Sequence, residues 1–147
     1  MVPQAYGWTC SVCSCTWVLQ AMNMINTNAS IYDVRNSIGE QMGYPNCVNE
    51  TYGCMSSDCV VRLFGEYDLL AVQEWVSYDQ AYSIAGKHTG VINPVGMQHY
   101  MAIRGQDGPN IWVANSASGY RGIYDILDRS NFNALGPVQV IYIEGRY

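Results

Sequence analysis

Lysine occurs once, at Lys87, and the other six basic residues are arginines scattered along the chain. A protein that tracks phosphates needs a basic stripe, so nucleic acid is excluded as a partner. Twelve acidic residues against seven basic ones, with a pI near 4.7, make an anionic membrane surface an equally poor partner. Long apolar runs are also missing. The first 32 residues carry no charge, yet Gln4, Gln20, Asn23, Asn26 and Asn28 break every apolar stretch well short of the ~18 residues that a membrane span needs. No basic segment precedes an apolar one at the N-terminus, so no secretory signal is read and a cytoplasmic location is expected. Charged residues reach 13%, about half of the roughly 25% usual in soluble domains.

Apolar residues, by contrast, make up 49% of the 147, enough for a real core and against disorder. The length suits a single domain over residues 1–147, expected to be a monomer. The abrupt end, Glu144-Gly145-Arg146-Tyr147 directly after a strand, fits a domain excised from a longer protein. The six cysteines fall in two groups, Cys10-Cys13-Cys15 and Cys47-Cys54-Cys59. Zinc is disfavoured because only Cys10 and Cys13 have knuckle spacing. A local disulfide in the second group and mostly buried thiols both remain open.

Periodicity divides the chain. Thr9 can cap a helix over Cys10–Met24, in which Val12, Cys13, Trp17, Val18, Ala21, Met22 and Ile25 recur at three- and four-residue spacing. A second helix is expected from Ser30, with Asp33 as capping partner and Ile31, Val34 and Ile38 turned inward. Residues 43–53 form a turn-rich loop, and a short helix follows over Asp58–Tyr67. Ala71–Val76 is read as a strand, and Ser77 with Gln80 opens a helix ending near Gly86. Beyond Gly90 the period becomes two, with strands at Val91–Ile92, Tyr100–Ile103, Ile111–Ala114, Ile123–Ile126 and Val138–Ile143. Gln106–Pro109 is a hairpin turn, and Ser130–Leu135 a single helical turn. Helices first and an antiparallel sheet after them make an α+β fold.

Cys10 stands in the predicted first turn of a helix, where unpaired amides and the helix dipole favour a thiolate. Only two histidines exist to pair with it. His88 lies in a polar turn, Gly86–Gly90, and is read as solvated. His99 opens a strand whose hairpin, centred near residue 107, folds Asn115 back beside it. An amide there can fix the tautomer of the imidazole, as in a Cys-His-Asn arrangement. Gln4, six residues before Cys10, is placed to donate to an oxyanion together with the Cys10 backbone N–H. Trp17, Trp75 and Trp112 are read as core, whereas Trp8, beside Cys10, is read as lining a substrate cleft. The sequons at Asn28 and Asn49 are read as chance.

Gln4-x5-Cys10 at a helix start, His99 at a strand start and Asn115 at the end of the next strand resemble papain-like cysteine peptidases in order and spacing. Small size and the His99-Tyr100 strand are most similar to the compact peptidases that process bacteriocin leaders. Trp8-Thr-Cys-Ser-Val-Cys13, Asn115-Ser-Ala-Ser-Gly-Tyr-Arg-Gly-Ile-Tyr124 and Leu135-Gly-Pro-Val138 also resemble N-terminal peptidase modules of mycobacteriophage endolysins. There are departures. Ser11 follows Cys10 where papain has an aromatic residue, Asn115-Ser116 stands where leader peptidases usually carry Asp-Pro, and Cys13 competes for the role of nucleophile.

The resemblance implies a papain-like fold, N-terminal helices on a C-terminal sheet, and a peptide substrate. It implies hydrolysis of an amide bond by Cys10, His99, Asn115 and Gln4, with no cofactor or metal. Peptidoglycan peptide is the expected substrate if the endolysin likeness holds. A leader-processing or maturation peptidase, and a catalytically silent papain-like binding domain, are the alternatives.

Overall fold

A computed structural model of the chain describes residues 10–25, 57–94, 99–115 and 124–146, with residues 10–13, 124 and 125 described through their backbone. The second predicted helix, the loop at 43–53 and the sequons lie outside these residues. The described elements are helix α1 (Cys10–Ala21), helix α2 (Ser57–Glu66), strand β1 (Leu69–Trp75) and helix α3 (Tyr78–Ala85), then strands β2 (Gly90–Pro94), β3 (Met101–Asp107), β4 (Asn110–Ala114) and β5 (Tyr124–Leu127), helix α4 (Arg129–Ala134) and strand β6 (Val138–Arg146). Their order and type are those of the α+β expectation. Ends differ by up to four residues, because the signals that stop each element are local. Thus α1 ends at Ala21 rather than Met24: Asn23 takes a left-handed φ of 58°, and the Met24 N–H returns to the Leu19 carbonyl. The hairpin strands run on to Asp107 and from Asn110, leaving only Gly108 and Pro109 as the turn.

The six strands form one sheet in the order β1-β6-β2-β3-β4-β5, every neighbouring pair antiparallel. Helices cover both faces. On the first face, Val18 and Leu19 of α1 and Val60, Leu63 and Phe64 of α2 bury Val91, Tyr100, Ala102, Ala114, Ile141 and Ile143. On the second, Tyr78, Ala81 and Ala85 of α3 and Phe132 of α4 bury Ile92, Met101, Ile103, Ile111, Val113 and Val140. The alternation of the two sets along each strand is the period-two pattern of a sheet packed on both sides. Serine at the start of α3 behaves as expected: Ser77 accepts from the Gln80 N–H while the Gln80 side chain accepts from the Ser77 N–H.

Three side-chain expectations change. Trp75, read as core, is 59% exposed at the end of strand β1. Trp112 is half-buried and carries the Arg104 guanidinium 3.8 Å above its ring. His88, read as a solvated loop residue, is half-buried, with Nδ1 3.0 Å from the Ile143 carbonyl and its ring against Tyr142. Of the described cysteine side chains, Cys59 in α2 is disulfide-bonded and Cys15 in α1 carries a buried thiol.

At the centre of the sheet, β2 and β6 approach so closely at Gly90 that a Cβ there would lie 2.6 Å from Tyr142 Cα. Backbone cannot step aside as a side-chain tip can. Gly90→Ala is therefore expected to cost about 3 kcal/mol and to lower Tm by roughly 10 °C. Gly65→Ala is the control: nothing lies within 4 Å of that position inside α2, and helix propensity predicts a gain of about 0.5–1 kcal/mol. Thermal melts of the two variants check both signs. A second expectation concerns alkaline pH. Burial among α3 and α4 raises the Tyr78 phenol above its ordinary value of 10.0, against the opposing pull of Arg129. The unfolded chain then ionises first, so stability should fall as pH rises through 10 and beyond, and Tyr78→Phe should flatten that fall in denaturant titrations.

Candidate active site

Two hydroxyl groups on α3 hold the tip of the β3–β4 hairpin: Tyr82 donates to the Gly108 carbonyl at 2.7 Å and Tyr78 to the Pro109 carbonyl. Gln106 donates back to the Tyr82 carbonyl at 2.9 Å. With Gly108 at a φ of 57°, where glycine is favoured, the turn has one shape and the ladder starts from Asp107 and Asn110. The opposite, open end of this hairpin carries His99, two residues before β3, and Asn115, the residue after β4.

Their side chains meet. His99 Nε2 lies 2.8 Å from Asn115 Oδ1. An amide oxygen only accepts, so Nε2 carries the proton and donates it. In the neutral ring this leaves the lone pair on Nδ1, free to take a proton from elsewhere. The amide thus selects the tautomer and the ring orientation together.

A second hydrogen bond fixes the same stretch from the other side. Ser14, fully buried in α1, donates Oγ to the carbonyl of Tyr100 at 3.0 Å. The Tyr100 side chain is itself buried, and its hydroxyl accepts from Asn93 Nδ2 of β2 at 3.3 Å. Ser14 and Asn93 are polar groups inside a core that would be costly to leave unpaired. The residue next to His99 is therefore anchored to the helix and to the neighbouring strand. Neither Ser14 nor Asn93 was marked by the sequence reading. For Asn93 the signal was a polar residue directly after the apolar pair Val91-Ile92; Ser14, between Ser11 and Thr16 in α1, carried none.

Cys10 is the first residue of α1, at the helix N-terminus as expected, and it lies four residues before Ser14. Side chains at residues 10 and 13 are not among those described, and Gln4 and Trp8 lie outside the described residues altogether. Of the predicted set, His99 and Asn115 are brought together by their side chains, and Cys10 is placed by its backbone.

Behind the His99–Asn115 pair, on the second face of the sheet, opens a cleft of about 330 Å³. Met101, Val113 and Leu127 form its floor, Asn131 and Leu135 from the α4 region its wall, and His99 and Asn115 its rim. Capping by Asp128, which accepts from the Asn131 N–H at 2.7 Å, sets where this wall starts. The sequence reading of one helical turn over Ser130–Leu135 located the wall without showing what it enclosed.

No protein-family model matches the chain, and no curated protein matches it. Among solved structures, a double-glycine-motif protease from an AMS/PCAT transporter, crystallised with the leader peptide, superimposes with a TM-score of 0.68. The match covers 97% of this chain and 90% of that one, at 15% identity. The chain therefore has the α+β fold of a papain-like peptidase of this compact kind.

Proposed function

We propose that the protein is a cysteine peptidase in which Cys10 is the nucleophile, His99 the general base and acid, and Asn115 the residue that orients the imidazole. The observation that carries this reading is the His99 Nε2–Asn115 Oδ1 hydrogen bond of 2.8 Å, which leaves Nδ1 as the basic nitrogen. Cys10 is supported as its partner by position. It is the first residue of α1, one helical turn before Ser14, and Ser14 is bonded to the residue that follows His99. Gln4 and the Cys10 backbone N–H are proposed to hold the oxyanion, and Trp8 to line the cleft for substrate.

Each step follows from these roles. The Cys10 thiol gives its proton to His99 Nδ1 and attacks the carbonyl carbon of the scissile amide. The imidazolium protonates the leaving amine, and a thioester remains on Sγ. Water, deprotonated by the same nitrogen, then hydrolyses it and returns the thiol.

The substrate proposed is a peptide of the leader type, cut during maturation. Support comes from the match along almost the whole chain to a protease solved with a leader peptide, and from a cleft at the His99–Asn115 rim whose floor is apolar. Nothing in that likeness favours peptidoglycan, the substrate that the endolysin resemblance implied.

Limiting iodoacetamide, applied to the reduced protein from pH 4 to 9 and mapped by mass spectrometry, tests the assignment. Cys10 alone is expected to react fast well below pH 8, and His99→Ala to abolish that advantage. Preferential labelling of Cys13, or equal labelling of all six thiols, would overturn it. Asn115→Ala is expected to slow peptide hydrolysis about tenfold to a hundredfold, the worth of a hydrogen bond to a charged partner. Ser14→Ala removes a buried hydrogen bond to Tyr100 and is expected to cost about 0.5–1.5 kcal/mol in denaturant titrations.

A further inference from the structure

The two halves of the β3–β4 hairpin are not in one register. Nearest the turn, Asp107 pairs with Asn110, Gln106 with Ile111 and Gly105 with Trp112. Beyond that, Ile103 pairs with Val113 and Ala102 with Ala114. Arg104 is the extra residue, so two residues of β3 stand against Trp112 alone. Gly105, at a φ of 153°, takes a conformation that a residue with a Cβ rarely adopts.

Carrying the ladder from the turn without this bulge would set Ala102 opposite Asn115. His99 and Asn115 would then be three steps out of register and on opposite faces, because faces alternate with every residue. With the bulge, continuation of the ladder sets Met101 opposite Asn115, and His99 is two steps from it on the same face. Such a diagonal is within reach of two long side chains. The cleft confirms the parity, since His99, Met101, Val113 and Asn115 all line it.

We infer that the Arg104–Gly105 bulge is a positioning device for the site: it turns His99 to the face on which Asn115 can hold it. Gly105 makes the irregular step possible, and Arg104, displaced from the ladder, lays its guanidinium on the Trp112 ring. The bond between His99 and Asn115 thereby depends on a residue six positions away that touches neither. Its importance for catalysis rests on the function proposed above, whereas its effect on the imidazole does not.

Three variants test the inference: Gly105→Val, deletion of Arg104, and the two combined. Valine at 105 favours a regular strand and drives Arg104 into the ladder, which reverses the faces of residues 99–103. The protected Nε2–H proton of His99, observed by ¹⁵N-edited NMR, should be lost. Cys10 alkylation near pH 6 and peptide hydrolysis should slow about tenfold to a hundredfold. Deleting Arg104 removes the extra residue and keeps every face as it is, so the variant should fold and retain the ring proton and the pH profile. Adding the deletion to Gly105→Val should restore both.

The inference is overturned if Gly105→Val keeps the ring proton. It is equally overturned if the Arg104 deletion, alone or combined, unfolds or loses that proton. Should Gly105→Val fail to fold, the deletion and the double variant still decide. Should the ring proton follow this pattern while no variant cuts a peptide, the proposed function fails and the positioning stands.

Discussion

Tyr100 is held at both ends, and the geometry of the site follows from that. Its carbonyl takes the Ser14 hydroxyl from α1, and its own hydroxyl takes the Asn93 amide from β2. In water each of these groups would have many partners. In a core built from Val18, Leu19, Val91 and Ile141 partners come only from the protein, and a shift of α1 along the sheet would break the bond from Ser14. Hydrophobic contact alone would let a helix slide on a sheet at little cost, because apolar burial has no direction. The hydrogen bonds give the contact an address, and the address lies beside His99.

Side-chain size on the two faces serves the same end. Where α1 crosses β3, the sheet presents Ala102, with Ala114 beside it on β4, so that helix and strand backbones approach closely. On the other face the intervening positions are Met101, Ile103 and Val113, large enough to fill the space under α3 and α4. Exchanging the faces would put methionine and isoleucine under the helix and alanines under the wide layer. The bulge at Arg104 is therefore reinforced by packing: the register that brings His99 to Asn115 is also the register that suits both cores.

Much of this was legible in the sequence, and the limits have physical causes. The Ser77–Gln80 capping box and the strand periods are local signals, and they located α3 and the sheet. The His99–Asn115 partnership was read from a hairpin centred near residue 107, whereas the turn is Gly108–Pro109 and the ladder ends at the Ala102–Ala114 pair, just before Asn115. The pairing survives because a bulge and a diagonal offset together bring the two side chains within reach, and neither shows in a count of residues. Trp75 was misread because hydrophobicity predicts a wish for burial, and the end of strand β1 leaves its ring in solvent. His88 was misread for the opposite reason. Its turn is polar, but Ile143 and Tyr142 of β6 come to it from 55 residues away.

Rigidity at the site is bought at the far end of the hairpin. A two-stranded ribbon is marginal by itself, and its open end is where it would fray. Here the turn is fastened to α3 by Tyr78, Tyr82 and Gln106, while α3 is tied to α4 by the edge-on contact of Tyr78 with Phe132 at 5.5 Å. The Arg129–Asp79 pair at 2.7 Å joins the same two helices, but both side chains are largely exposed and solvent screens the charge, so it adds little. The aromatic contact and the tyrosine hydroxyls carry the attachment. Because α4 also forms the wall of the cleft, the elements that fix the hairpin register are the ones that shape the space behind His99 and Asn115. A change at the Tyr78–Phe132 contact should therefore be felt in the cleft before it is felt in α1, whose own hold on Tyr100 passes through the other face of the sheet.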